Sequence, residues 1–285
     1  MRISSFLTKS LHKLGWLPFL NIHSTIQVEN KKILIPILGG QGYPNLHLSE
    51  PWMTEALKCL RPLFNGHFID VGVNLGQTLI KAYAIFEDIQ YIGFEPNPSC
   101  VHYAQELIKL NELKRYVIFP LGVGSKTEVL KLIFFASDES DSSATIIEHY
   151  RPNNTEDHYI YVPVFDFHSI SSFLPAKPST LVKIDVEGAE LEVLLGLKDW
   201  IIANQPFFLL EILPVYTLEN QTRLNRQEQI ESLLRDLNYK IARLKKTHPA
   251  RIEEISKIGV HSSIEDSDYL AYPVSSADKI KDCFA

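Results

Sequence analysis

Phe68-Ile69-Asp70-Val71-Gly72-Val73-Asn74-Leu75-Gly76-Gln77-Thr78 is a short apolar strand that runs into a small-residue turn and then a helix. Glycines lack a Cβ, so they let the chain turn tightly and let a ligand approach the backbone. A strand ending in Gly-x-Asn-x-Gly therefore reads as a loop shaped to hold a molecule. The next strand, Gln90-Tyr91-Ile92-Gly93-Phe94-Glu95, ends in a carboxylate followed by Pro96-Asn97-Pro98. Ligands of open α/β sheets gather at the carboxyl ends of the strands, and an acid ending the second strand can take both hydroxyls of a ribose. The leading expectation is an adenosine-bearing cofactor.

Two cofactor classes compete. Dinucleotide sites use Gly-x-Gly-x-x-Gly, whose second glycine makes room for a pyrophosphate; here Asn74 takes that place and the spacing differs. S-adenosylmethionine has no phosphate, and Asp70 ahead of a Gly72/Asn74/Gly76 turn suits it better. The bland alternative is a Gly-rich turn with no bound nucleotide.

Working outward, strands and helical stretches alternate from Phe68, the signature of a doubly wound parallel sheet in an α/β protein. The sequence predicts strands over Phe68–Val71, Tyr91–Glu95 and Tyr116–Leu121, with helices over about Gln77–Phe86 and Pro98–Asn111. Gly122-Val123-Gly124-Ser125 follows, where it would lie beside an adenine. Glu128–Ala136 and Tyr159–Phe167 read as an inserted β-hairpin around the polar segment 137–154, a reasonable place to recognise an acceptor. Regular alternation resumes with a strand from Thr180 to Glu187 and a helix from Gly188 to about Ala203. A buried strand Pro206–Leu213, a helix Arg226–Leu237 and closing strands Lys240–Leu244 and Asp268–Tyr272 complete it.

Upstream, residues 1–66 read as an N-terminal extension of helix, hairpin and helix, ahead of a cofactor domain at 67–285. Ile3, Leu7, Leu11 and Leu14 fall at helical spacing with Lys9 and Lys13 between them, before Trp16-Leu17-Pro18-Phe19-Leu20. The lysines interrupt the apolar run and no small-residue cleavage site follows, which argues against a secretory signal. Such a segment is expected to pack on its own domain or on a partner subunit, where it would build a homo-oligomer, or to rest on a membrane surface. Thr25–Val28 and Lys32–Pro36 form the hairpin. Ser49 caps a helix that runs to about Arg61, with Pro51 in its first turn.

The 285 residues are 45% hydrophobic and 22% charged, enough apolar material for one large soluble domain with extensions. Net charge is −6, and the densest basic patch is only Arg243, Lys245 and Lys246, so nucleic acid is a poor expectation as partner. Cys59, Cys100 and Cys283 are far apart in sequence without metal-ligand spacing, which suggests reduced thiols in a cytoplasmic protein. No apolar run reaches the roughly 18–20 residues needed to span a bilayer.

Lys183-Ile184-Asp185-Val186-Glu187-Gly188-Ala189-Glu190 is the second informative stretch. Alternate residues of a strand share a face, so Asp185 and Glu187 are expected together at the strand's carboxyl end. Two carboxylates there can orient a hydroxyl, take its proton or hold a divalent metal. Helix capping is the plain alternative for Glu187 and Glu190. Glu211 is a lone acid in an apolar strand, and an unpaired buried carboxylate is expensive, so it needs solvent or a partner in the site. His102, His149, His158 and His168 are scattered and are expected to be solvated, although a neutral imidazole there could serve as the base.

The chain resembles the FkbM-type family of S-adenosylmethionine-dependent methyltransferases. The likeness rests on Phe-Ile-Asp-Val-Gly-Val-Asn-Leu-Gly from Phe68, Phe-Glu-Pro-Asn-Pro from Phe94, Val-Pro-Val from Val162 and Leu-Val-Lys-Ile-Asp-Val-Glu-Gly-Ala-Glu from Leu181, over roughly Phe68 to Tyr239. Val73 stands where the family usually has alanine, and Asp166-Phe167-His168 where it usually has Thr-Leu-Asp. The resemblance implies a class I methyltransferase (Rossmann-like) fold and methyl transfer, commonly to a hydroxyl oxygen of a sugar, glycan or polyketide-type metabolite. It implies that Asp70, Gly72, Asn74, Gly76, Glu95 and Asn97 hold the cofactor; Gly122, from its place after the third strand, is expected beside the base. Asp185 and Glu187 fall near the reacting end, where Glu211 is also expected. A divalent metal, and a cofactor-binding partner subunit without turnover, stay open as alternatives.

Overall fold

The computed structural model describes residues 4–64, 66–135, 143–148, 158–176 and 179–284. In chain order the extension contributes α1 (Ser5–Lys13), β1 (Asn21–Val28), β2 (Lys31–Leu38) and α2 (Pro51–Leu60). The first βα units are β3 (His67–Val71), α3 (Gln77–Ile85), β4 (Gln90–Phe94), α4 (Pro98–Leu110) and β5 (Tyr116–Phe119). The insertion holds β6 (Gly122–Val123), β7 (Glu128–Ile133), β8 (Tyr159–Phe165) and α5 (Phe167–Ile170). The second half is β9 (Thr180–Ile184), α6 (Glu190–Gly196), α7 (Lys198–Asn204), β10 (Phe207–Glu211), α8 (Gln221–Asp236), β11 (Tyr239–Lys245), β12 (Arg251–Ile255), β13 (Asp268–Pro273) and α9 (Ala277–Cys283).

Eight of these strands form one sheet in the order β12-β11-β13-β10-β9-β3-β4-β5. From β10 to β5 all neighbours are parallel, while β13, β11 and β12 each join antiparallel. This order, parallel strands flanked by helices and closed by antiparallel strands at one edge, is the Rossmann-like arrangement the sequence predicts. Chain order reverses between β3 and β9, which is where such sheets open a crevice for a ligand.

The strand period of two sorts the core into two layers. Phe68, Leu181 and Leu209 point to a layer shared with α2, α3, α4 and the β1–β2 hairpin. Their neighbours Ile69, Val182, Phe208 and Leu210 point to the layer of α6, α7 and α8. The extension is part of this core: Ile33, Ile35, Ile37, Trp52 and Leu57 lie in the same cluster as Phe68 and Tyr91. Burial of each such side chain contributes about 1.5–3 kcal/mol.

Several expectations change. Ser49 does not cap α2; Glu50 occupies the cap position with φ +54 and no side-chain cap bond, and the Ser49 hydroxyl bonds to Gln77 instead. The helix expected over 188–203 is two helices meeting at Leu197. Helix α8 begins before Arg226, because Asn220 caps it by accepting from the Arg223 N–H at 3.2 Å. Gly122-Val123, read as loop, is a short strand pairing parallel with β8, which pairs antiparallel with β7. Of the polar segment 137–154, only 143–148 lies within the described residues, and His149 lies outside them.

Candidate active site

A cavity of about 590 Å³ opens at the carboxyl ends of β3, β4, β9 and β10, within the ~300–1,000 Å³ typical of small-molecule and cofactor sites. Gly72, Asn74, Glu95, Asn97 and Gly122 line one end, and Asp185, Glu187 and Glu211 the other. Asp70 and Gly76 lie outside its wall. Gly76 is the left-handed cap residue of α3, and Asp70 sits fully buried beneath the turn.

The first end is built from backbone. Asn74 has φ +47, a left-handed conformation that Asn tolerates better than most residues. In that pose its N–H donates to Glu95 Oε2 at 2.7 Å, and the Asn97 N–H donates to Glu95 Oε1 at 2.8 Å. Asn97 also caps α4 by accepting from the Ser99 N–H at 3.0 Å. Burial pushes the Glu95 carboxyl up to about 7, against the pull of those two N–H groups. Each of its oxygens accepts one backbone bond and has a second lone pair for another donor.

The second end is built from side chains. The expectation that Asp185 and Glu187 alternate on one strand face is corrected: β9 stops at Ile184, and both acids sit in the turn that follows. The Asp185 N–H still donates to Val71 O at 3.1 Å, but Glu187 has φ +50. A Cβ on Gly72, itself at φ +90, would stand 1.9 Å from the Asp185 carbonyl oxygen. The turns after β3 and β9 therefore cross in contact, and only glycine fits there. Both acids reach the cavity through the turn rather than through strand alternation.

Lys183 joins the two ends. Strand register sets it directly beside Asp70, and its ammonium lies 3.5 Å from Asp70 Oδ1 and 2.9 Å from Asp185 Oδ2 while donating to Gly72 O at 3.1 Å. Burial alone would lower its pKa, but the Asp185 and Asp70 carboxylates outweigh that and hold it above the ordinary lysine value. Burial raises Asp70 despite Lys183 and a hydrogen bond from the Tyr91 hydroxyl. Asp185, whose side chain is one-third exposed, is held low against burial by Lys183 and by a hydrogen bond from Glu211. Burial and the Asp185 charge push Glu211 up to about 10. The pair thus holds one proton near neutral pH, on Glu211, and leaves Asp185 ionised.

Other expected residues fall elsewhere. Glu190 reaches back to accept the Gly188 N–H at 2.9 Å, the capping role. His102, His158 and His168 are exposed and line no part of the cavity. Asp166 caps α5 by accepting from the Ser169 N–H at 3.0 Å. Among the described residues, no group of three or more His, Cys, Asp or Glu converges as a metal site. The insertion does reach the cavity, through Leu132, Ala144 and Ile146, and the Thr145 hydroxyl donates to Glu187 O at 2.7 Å.

Sequence reasoning missed Lys183, Lys81 and Glu50. Lys183 carried a signal, since a cation in mid-strand among Leu181, Val182 and Ile184 demands a buried counter-charge. Lys81 carried the same signal on α3. It is fully buried, and its ammonium meets Glu50 Oε2 at 3.1 Å on the cavity wall. Burial lowers its pKa against the pull of Glu50. Glu50 itself had no local signal, because its role depends on how the extension folds over the sheet.

The model of the methyltransferase FkbM domain matches residues 70–241. The chain belongs to the FkbM methyltransferase family. Its match includes the Asp70–Gly76 turn, Glu95, the insertion and the Asp185–Glu211 end of the cavity. "Methyltransferase 1" of Beauveria bassiana (strain ARSEF 2860) is 26% identical over 147 residues, 46% of this chain and 58% of that protein. A crystal structure of methyltransferase FkbM from Methylobacillus flagellatus KT is similar at 16% identity and TM-score 0.44, over 72% of this chain and 43% of that one. Precorrin-6y C5,15-methyltransferase from Geobacter metallireducens GS-15 is similar at 12% identity and TM-score 0.37, over 77% of this chain and 87% of that one. This FkbM-family chain thus spans less than two thirds of the Beauveria and Methylobacillus proteins.

Proposed function

We propose that the chain transfers a methyl group from S-adenosylmethionine to a hydroxyl oxygen of a sugar, glycan or polyketide-type metabolite. The observation that carries this reading is one cavity joining the Glu95 carboxylate at the tip of β4 to the Asp185–Glu211 pair at the tips of β9 and β10. Family membership supports the methyl transfer, and the acids at the second end support oxygen as the acceptor atom.

The residues fit the cofactor. Both Glu95 oxygens retain capacity for a hydroxyl donor, which suits a ribose diol, with Asn97 fixing the loop. Gly122 and the apolar Val123 flank the same end, as a flat base would require. The Gly72 and Asn74 turn would hold the amino-acid tail, and Asp70 would act from beneath by anchoring Lys183 under that turn. Bound S-adenosylmethionine supplies an electrophilic methyl carbon on a sulfonium, which leaves as a neutral thioether.

The chain's own task is then positioning and a proton. Asp185 and Glu187 orient the acceptor hydroxyl towards the methyl carbon, and alignment supplies much of the rate. A hydroxyl proton becomes strongly acidic only as its oxygen gains the methyl group, so an ionised carboxylate of low basicity suffices to take it. Asp185 is that acceptor. Protonated Glu211 holds the Asp185 carboxylate by a hydrogen bond, and Lys183 keeps it charged.

Calorimetry with S-adenosylmethionine, S-adenosylhomocysteine and NAD tests the cofactor. Binding of both sulfur compounds is expected; binding of NAD alone would overturn the reading. Release of S-adenosylhomocysteine with hydroxylated acceptors tests the chemistry, and turnover confined to amine or thiol acceptors would refute the oxygen assignment.

A further inference from the structure

Among the described residues, Phe6 and Phe19 are the large apolar side chains most open to solvent, 79% and 85% exposed, and Leu14 and Trp16 between them are exposed as well. The segment is nevertheless anchored. Thr8 and Leu17 are buried, Leu11 packs on the core, and the His12 ring stacks on Tyr43 at 4.0 Å. Its outward face is therefore presented by a held element.

Charge is segregated there too. The first 28 residues contain Arg2, Lys9 and Lys13 and no Asp or Glu, in a chain whose net charge is −6. On α1, Phe6, Lys9 and Lys13 follow helical spacing and are all exposed, so an aromatic ring and two ammonium groups share one face. An exposed aromatic and apolar surface interleaved with lysines matches the interface of an anionic bilayer, where rings settle at headgroup depth and lysines meet phosphates. A second copy fits poorly, because a two-fold contact through this face would set Lys9 and Lys13 against their own counterparts.

We propose that residues 4–20 form a docking surface for a bilayer with anionic headgroups, with Phe6, Trp16 and Phe19 entering the interface and Lys9 and Lys13 meeting the headgroup phosphates. The proposal does not depend on the methyl-transfer reading. It places the cavity near the bilayer, since Tyr43, under His12, is followed by Pro44 on the cavity wall.

Flotation of the full chain with vesicles of phosphatidylcholine alone and with roughly 30% phosphatidylglycerol tests it. Trp52 and Trp200 are buried while Trp16 is exposed, so a blue shift of tryptophan emission on adding vesicles reports Trp16 entering lipid. Flotation with the anionic vesicles and a blue shift are expected. The Phe6→Ser/Trp16→Ser/Phe19→Ser variant should lose more than about tenfold in partitioning, and Lys9→Glu/Lys13→Glu about fivefold or more for each lysine changed. These side chains are exposed, so circular dichroism should show both variants folded. Failure to float with anionic vesicles, or flotation unchanged by the triple variant, overturns the proposal. So does a dimer that the triple variant abolishes in protein that binds no vesicles.

Discussion

Glu95 and Asp185 face one cavity from opposite ends, and their surroundings differ in kind. Two backbone N–H groups hold Glu95, from Asn74 and from Asn97. Asp185 is held by side chains, Lys183 at 2.9 Å and the acid Glu211. Backbone donors survive most side-chain substitutions nearby, so outside the turn fixed by Gly72 and Asn74 the Glu95 end should tolerate change and lose function chiefly through Glu95 itself. A carboxylate held by a lysine and a second acid depends on every member, and loss of one leaves a buried charge unmatched. The comparison predicts local, binding-type damage at one end and collective, catalytic or folding damage at the other.

Replacing Asp185 should do the most to test that contrast. Asp185→Ala is expected to lower kcat by about 10²–10⁴ while the calorimetric Kd for S-adenosylhomocysteine stays within about threefold, an affinity change under roughly 1 kcal/mol. Normal turnover would remove Asp185 from the mechanism. Lys183→Met comes next, because it strands Asp70 and Asp185 together; urea denaturation should show a loss of about 3–5 kcal/mol. Adding Asp70→Asn to that variant should recover part of the loss, and a purely additive double variant would break the idea of a shared network.

At the other end, Glu95→Gln should weaken S-adenosylhomocysteine by roughly 10–100-fold, the scale of a charge-assisted hydrogen bond, with kcat at saturating donor little changed. The Glu95 carboxyl is raised to about 7 by burial, so below that pH it carries a proton and one oxygen can no longer accept from a diol. Donor affinity should therefore tighten as pH rises through about 7, by at most about tenfold per pH unit, and level off above. Glu95→Gln should abolish that dependence; a slope that persists assigns it to another group. The smallest effect is expected from Thr145→Val, which removes the hydroxyl bond to Glu187 O. A rise in acceptor KM of about two- to tenfold with unchanged donor Kd would place the insertion on the acceptor side.

The same contrast explains what was legible in the sequence. The Glu95 end is local: strand, turn and the acid of the next strand lie within 28 residues, from Phe68 to Glu95, and glycines and strand ends are visible without knowing the fold. The alternation of β and α segments likewise gave the sheet, because each strand's apolar run and each helix's period is written in consecutive residues. The other end depends on long-range geometry. Lys183 meets Asp70 through strand register, Glu50 meets Lys81 through the folding of the extension, and the turn after β9 is set by Gly72 pressing on Asp185. No short-range pattern encodes those meetings. Strand β12 and helix α9 were missed for a simpler reason: Arg251-Ile252-Glu253-Glu254-Ile255 and Ala277–Cys283 are short and polar, with little periodicity to read.

The crossing of Gly72 against Asp185 bears on redesign. Because the two turns share one contact surface, any larger residue at 72, or any re-routing of the chain at 185, would displace donor seat and proton acceptor together. Altering which molecules are accepted is better attempted at Leu132, Ala144 and Ile146. Those side chains border the same chamber from a separate small sheet and its loop, and exchanging them leaves the crossing intact.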